Sequence, residues 1–133
     1  MATFAGQYSA SPLLASEEFA LGGPNFGRGY DDGEMSADSG LAGSLELRYA
    51  VSTDNFLPHG AHVYSFIDGG RIWSRSESAP LTRANVSSIG AGMRANLSKS
   101  LYATLEVAKP TSGDVLTQGN KNPRVFFSIS AQY

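Results

Sequence analysis

One arginine, flanked by glycines in Gly27-Arg28-Gly29-Tyr30, is the residue of this chain best suited to a specific ionic role. A guanidinium offers a planar fork of donors that matches a carboxylate, and glycine on either side lets the backbone carry it to a fixed acidic partner. Asp68 and Glu46 are the candidate partners. Glu46 falls on the polar side of an alternating segment, whereas the phase around Asp68 is less regular. The competing reading is a solvated loop arginine.

Other constellations carry less. Gly22, Gly23, Gly27, Gly29 and Gly33 crowd the same stretch, but no Gly-Lys-Ser/Thr follows and the dinucleotide spacing is missing, so nucleotide binding is set aside. Their simpler use is to free φ beside Arg28. Asp31, Asp32, Glu34 and Asp38 form an acidic run whose spacing misses the calcium-loop pattern, and a solvated acidic loop is the expectation. His59 and His62 stand three apart with no third ligand nearby, which argues against zinc. Without a Gly-x-Ser-x-Gly elbow there is no hydrolase signature either. No catalytic residue, cofactor or metal is expected.

The elements that must position Arg28 are strands. The chain has 133 residues, enough for one domain, and a formal net charge of −2, which offers no footprint for nucleic acid. Charged residues make up only 17% and glycine is frequent at 15, a balance suited to sheets that are apolar on one side. Cysteine is absent, so no disulfide or thiolate site exists. Strict alternation marks strands at about 41–52, 86–98, 100–109 and 124–133. Aromatic and β-branched content adds a fifth at 62–74, and Phe4 with Tyr8 suggests a sixth at 3–8. A short helical turn is expected within 11–19, starting from Ser11-Pro12.

Apart from the intermediate stretch 53–60, the connections alternate between long (20–40, 74–84, 111–122) and tight (98–100), as in transmembrane barrels. Strands of roughly 9–13 residues also match the ~9–11 of a tilted membrane strand better than the ~5–6 of an average soluble one. Trp73, Tyr49, Phe127 and Tyr133 then fit aromatic girdles, with Tyr102 facing inward.

The order Leu21-Gly22-Gly23, then Arg28-Gly29-Tyr30, then Gly40 and Glu46-Leu47-Arg48, resembles the transporter barrels of two-partner secretion, the haemolysin secretion/activation proteins. Gly6-Gln7-Tyr8 and Ala15-Ser16-Glu17-Glu18-Phe19 are similar to the approach to that family's signature loop. Phe66-Ile67-Asp68-Gly69-Gly70 with Trp73 resembles its aspartate-glycine strand, and Ser88-Ile89-Gly90-Ala91-Gly92 the strand that follows. Gly27 departs from the branched apolar residue usual before the arginine, and Ala37 from the glycine common before Asp38.

The resemblance implies an all-β fold: five to six C-terminal strands of an antiparallel outer-membrane barrel, with the loop at about 20–40 folded into the lumen. It implies that Arg28 meets an acidic residue on the wall, and it favours Asp68 over Glu46. Arg48, Arg94, Asn96 and Glu106 would line the pore with Glu46, while Phe127, Ile129 and Tyr133 would form the terminal signal read by the barrel-assembly machinery. The implied function is secretion of a partner exoprotein such as a haemolysin or adhesin across a bacterial outer membrane, with lipid outside. An assembly insertase of the same superfamily and a soluble β-sandwich binding module are the alternatives. Six strands fall short of the ~8 a closed barrel needs, and Met1–Tyr8 carries no export signal. A piece of a longer transporter is therefore expected.

Overall fold

The computed structural model describes residues 1–51, 60–75, 83–112, 119 and 121–132. Its strands are β1 (Ala2–Gln7), β2 (Phe19–Leu21), β3 (Met35–Ala37), β4 (Ser39–Val51), β5 (Ala61–Trp73), β6 (Arg83–Ser98), β7 (Leu101–Pro110) and β8 (Arg124–Ala131). Six of them form one antiparallel sheet in the order β1-β4-β5-β6-β7-β8. From β4 onward every strand pairs with the next along the chain. The sheet is not closed, and β1 and β8 are its edges.

Register turns the alternation of each strand into two faces of unlike chemistry. Leu45, Ile67 and Ile89 lie in one row across three strands, and Met93, Leu105 and Phe127 in another. Both rows are on the face the loop does not cover, with Leu45 56%, Leu105 46% and Phe127 67% exposed. A sandwich core would bury these residues, each worth about 1.5–3 kcal/mol of hydrophobic stabilisation in water. Instead they form one continuous apolar surface. Tyr49 stands at the turn end of this face and Trp73 at its opposite, loop end.

The inner face carries the opposite phase. Ser44, Asp68 and Ser88 form one row, and Arg48, Tyr64, Gly92, Glu106 and Phe126 another. Tyr102 shares this phase, opposite Asn96 and Ser130. The main core is small and lies only where the loop covers the sheet. Leu21, Tyr30, Met35 and Ala37 pack there on Ala42, Ile72 and Val86. Tyr64, Phe66 and Ala108 make a second cluster on the same inner wall.

Two details differ from the alternation reading. The stretch 20–40 is not wholly irregular: Phe19–Leu21 pairs antiparallel with Met35–Ala37, closing the loop at its base. Three-residue strands are too short to leave a period-2 signature. The helical turn is a single 3-10 turn, Ala15–Glu17, preceded by Leu14 with no side-chain cap, so Ser11 and Pro12 do not start it. The stretches 52–59, 76–82 and 113–118, with Asn120 and Tyr133, lie outside the described residues. His59 and most of three connections assigned from sequence fall there.

Candidate functional site

The loop between β2 and β3 descends onto the inner face and places Arg28, 7% exposed, among three carboxylates. Its Nη1 lies 3.1 Å from Glu46 Oε2 and 3.2 Å from Glu106 Oε2, and its Nε lies 3.3 Å from Asp68 Oδ2. Nη2 reaches Ser44 Oγ at 3.4 Å. The guanidinium stacks over the Phe66 ring, 4.0 Å from its centroid. Charge, hydrogen bonding and a π face thus converge on one cation.

The carboxylates are not equivalent. Glu46 also accepts from Arg48 Nε at 2.6 Å and Arg94 Nη1 at 2.9 Å. Glu106 accepts the Tyr64 hydroxyl at 2.6 Å, and Arg94 stacks on the Tyr64 ring at 4.0 Å. Asp68 Oδ1 accepts the Gly27 backbone N–H at 2.9 Å, and Arg28 is the one cation in ion-pair range of it among the described residues. Three arginines therefore balance three carboxylates. Burial makes that balance compulsory, since an unpaired charge there is costly.

Local sequence explains how the arginine reaches this depth. Gly22 and Gly27 adopt φ of +104° and +80°, a left-handed backbone that a side chain would strain. Gly29 does not take positive φ, so freeing φ is not its role. A Cβ there would lie 2.6 Å from Pro110 N, and hydrogen in its place lets the backbone press on β7 while Gly29 N–H bonds Ser88 Oγ at 3.0 Å. Gly23 also takes positive φ, and Tyr30 is 1% exposed with its hydroxyl on the Ser112 carbonyl. On the wall, side chains at Gly90 and Gly92 would collide with the rings of Phe66 and Tyr64. Glycine lets both rings lie flat under the arginines.

The structure thus brings Arg28 to both carboxylates named from sequence and adds Glu106, which was expected only to line the pore. The available signal was phase: Glu46, Asp68 and Glu106 share the inner face. Phe66 and Ser44 as arginine contacts left no comparable trace. Arg48 and Arg94 join the cluster through Glu46, whereas Asn96 lies a rung beyond Arg94. Phe127 and Ile129 sit on the outer face, exposed; Tyr133 is outside the described residues. In the acidic run, Asp31 is engaged by Arg124 and Asp38 by backbone N–H groups of Leu13 and Arg75. These two bonds hold the Asp38 carboxyl below its usual range, the Arg75 N–H contributing most.

A cavity of about 890 Å³ opens beside the cluster, with Arg28, Glu46, Arg94 and Glu106 in its lining. Thr3 and Ala5 of β1 and Phe126 and Ser128 of β8 also line it, so both edges of the curled sheet face one space. The family described as "Haemolysin secretion/activation protein ShlB/FhaC/HecB" matches residues 1–95. The chain belongs to this family. Haemolysin secretion/activation proteins are outer-membrane transporters that secrete and activate other proteins. No curated protein and no solved structure matches the chain. The part matched to the haemolysin secretion/activation family holds Arg28, Glu46 and Asp68; Glu106 and Arg124 lie beyond it.

Proposed function

We propose that this chain is the C-terminal part of an outer-membrane barrel that conducts an unfolded partner exoprotein, such as a haemolysin or adhesin, to the cell surface. The loop held by Arg28 occupies the conduit. No bond is made or broken; the work is passage of an extended chain through a lumen whose wall carries Glu46, Arg48, Arg94, Asn96 and Glu106. The observation that supports this reading is a division of chemistry. A balanced cluster of six charges lies on the concave face beneath the loop, while the convex face presents rows of apolar side chains suited to lipid, with Arg71, Asn85 and Lys109 confined to its loop end.

Further strands beyond β1 and β8 would complete the barrel, since an open sheet leaves two rows of unpaired backbone groups that lipid cannot satisfy. The outward Phe127 and Ile129 on β8 fit recognition by the barrel-assembly machinery. The test is secretion by the complete transporter. Arg28→Ala should impair release of the partner while the barrel still inserts, as judged by heat-modifiable migration of membrane fractions. Normal secretion by that variant would remove the loop from the mechanism.

A further inference from the structure

The loop crosses the concave face from β4 to β8, and its returning limb is the part tied to β8. The limb entering the cluster is fixed to β4, β5 and β7 through Arg28 with Glu46 and Glu106, and Gly27 N–H with Asp68. The returning limb runs along β7 and β8. Gly29 presses on Pro110, the Tyr30 hydroxyl bonds the Ser112 carbonyl, and Asp31 Oδ1 accepts from Arg124 Nη1. Asp31 and Arg124 are 93 residues apart in the chain. Glu34 turns the backbone back at this point: its carboxylate accepts the Asp31 N–H at 2.8 Å, and its own N–H bonds the Asp31 carbonyl at 3.1 Å.

We propose that Arg124 is a second positioning residue for the loop. Its pairing with Asp31 ties the returning limb to β8 and is the weaker of two latches, released before the Arg28 cluster. Its setting sets the order. The Arg124 side chain is 13% exposed but Asp31 is 41% exposed, so water and salt reach this pair, whereas Arg28, Glu46 and Asp68 are each at 8% or less. Arg124 Nε and Nη2 are buried and have no acceptor among the described residues, so the Asp31 carboxylate, with attraction from Glu34 added, compensates the buried guanidinium. β8 is also an edge strand of the sheet. A shift of β8 against the loop therefore strains this tie first and leaves the Arg28 contacts to β4, β5 and β7 intact.

The tie itself stands on geometry; its use in secretion rests on the transport reading above, and two readouts keep these apart. The first is hydrogen exchange over residues 22–34 in the complete transporter in detergent micelles. Asp31→Ala or Arg124→Ala should speed exchange roughly two- to fivefold, as loss of a partly exposed pair does. The reversed pair, Asp31→Arg with Arg124→Asp, should restore the slow rate, and molar salt should erase the difference while leaving protection by the Arg28 cluster. Unchanged exchange in the single variants, or no recovery in the reversed pair, overturns the tie. The second is secretion by the complete transporter, freed of any other cysteine, carrying Asp31→Cys and Arg124→Cys joined by a short bis-maleimide; these 133 residues contain none of their own. Cross-linking should reduce secretion. Full secretion with the cross-link in place overturns the transport role of the loop and leaves the tie standing.

Discussion

Removing Arg28 should damage the three carboxylates unequally, and the ranking can be worked from the coordinates. At about 3.2 Å and an effective dielectric near 20, each ion pair contributes roughly 5 kcal/mol of gross attraction, most of it offset by desolvation. What matters is what each carboxylate keeps. Glu46 retains Arg48 at 2.6 Å and Arg94 at 2.9 Å, and Glu106 retains the Tyr64 hydroxyl at 2.6 Å. Asp68 retains neutral donors alone, the Gly27 N–H at 2.9 Å with the Arg28 N–H and the Ser88 hydroxyl beside it, and no cation in range among the described residues. Arg28→Ala should therefore cost about 3–5 kcal/mol, the usual penalty for stranding a buried charge. Adding Asp68→Asn should recover part of it, with a coupling of at least about 1.5 kcal/mol, and Glu46→Gln should recover least. The assay is a double-mutant cycle on urea unfolding of the complete transporter in micelles. A coupling to Asp68 below about 0.5 kcal/mol, or a larger one to Glu46, would refute the reasoning.

Two further predictions use other parts of the loop. Gly29→Ala sets a methyl 2.6 Å from Pro110 N and should cost about 1–3 kcal/mol by the same unfolding assay, with the Gly29 amide losing its exchange protection from Ser88. Asp38 staples the backbone at Leu13 and Arg75, and its folded pKa lies below the unfolded value near 3.9. Stabilisation from it is complete above that unfolded value and fades as pH falls through the folded one. Exchange at the Leu13 amide, corrected for its intrinsic rate, should accelerate across that acid range, and Asp38→Asn should remove the pH dependence.

Much of the sheet was legible because alternation is a direct imprint of a two-faced strand. Leu45, Leu105 and Phe127 declare the outer face in sequence, and register merely aligns them in rows. The Arg28 loop was legible from its glycines and its order of residues. Other features were not, each for a physical reason. The β2–β3 pairing at the base of the loop spans three residues on each side, too few for a period. Glu106 as an arginine partner depends on how far the sheet curls, which no local pattern records. Gly29, Gly90 and Gly92 look like ordinary flexible residues until the neighbours that need their space are seen: Pro110, Phe66 and Tyr64. The Asp31–Arg124 pair joins positions 93 residues apart, beyond any spacing rule.

The division of the sheet into a lipid face and an aqueous face is tested most directly by fluorescence quenching in brominated-lipid bilayers. In a Trp73→Phe background, which leaves no other tryptophan, single tryptophans are placed at the adjacent positions Ala103 and Thr104 and at Leu105 and Phe127. Strong quenching at 103, 105 and 127 with little at 104 is the predicted result. Equal quenching at 103 and 104, or none at 105 and 127, would contradict it.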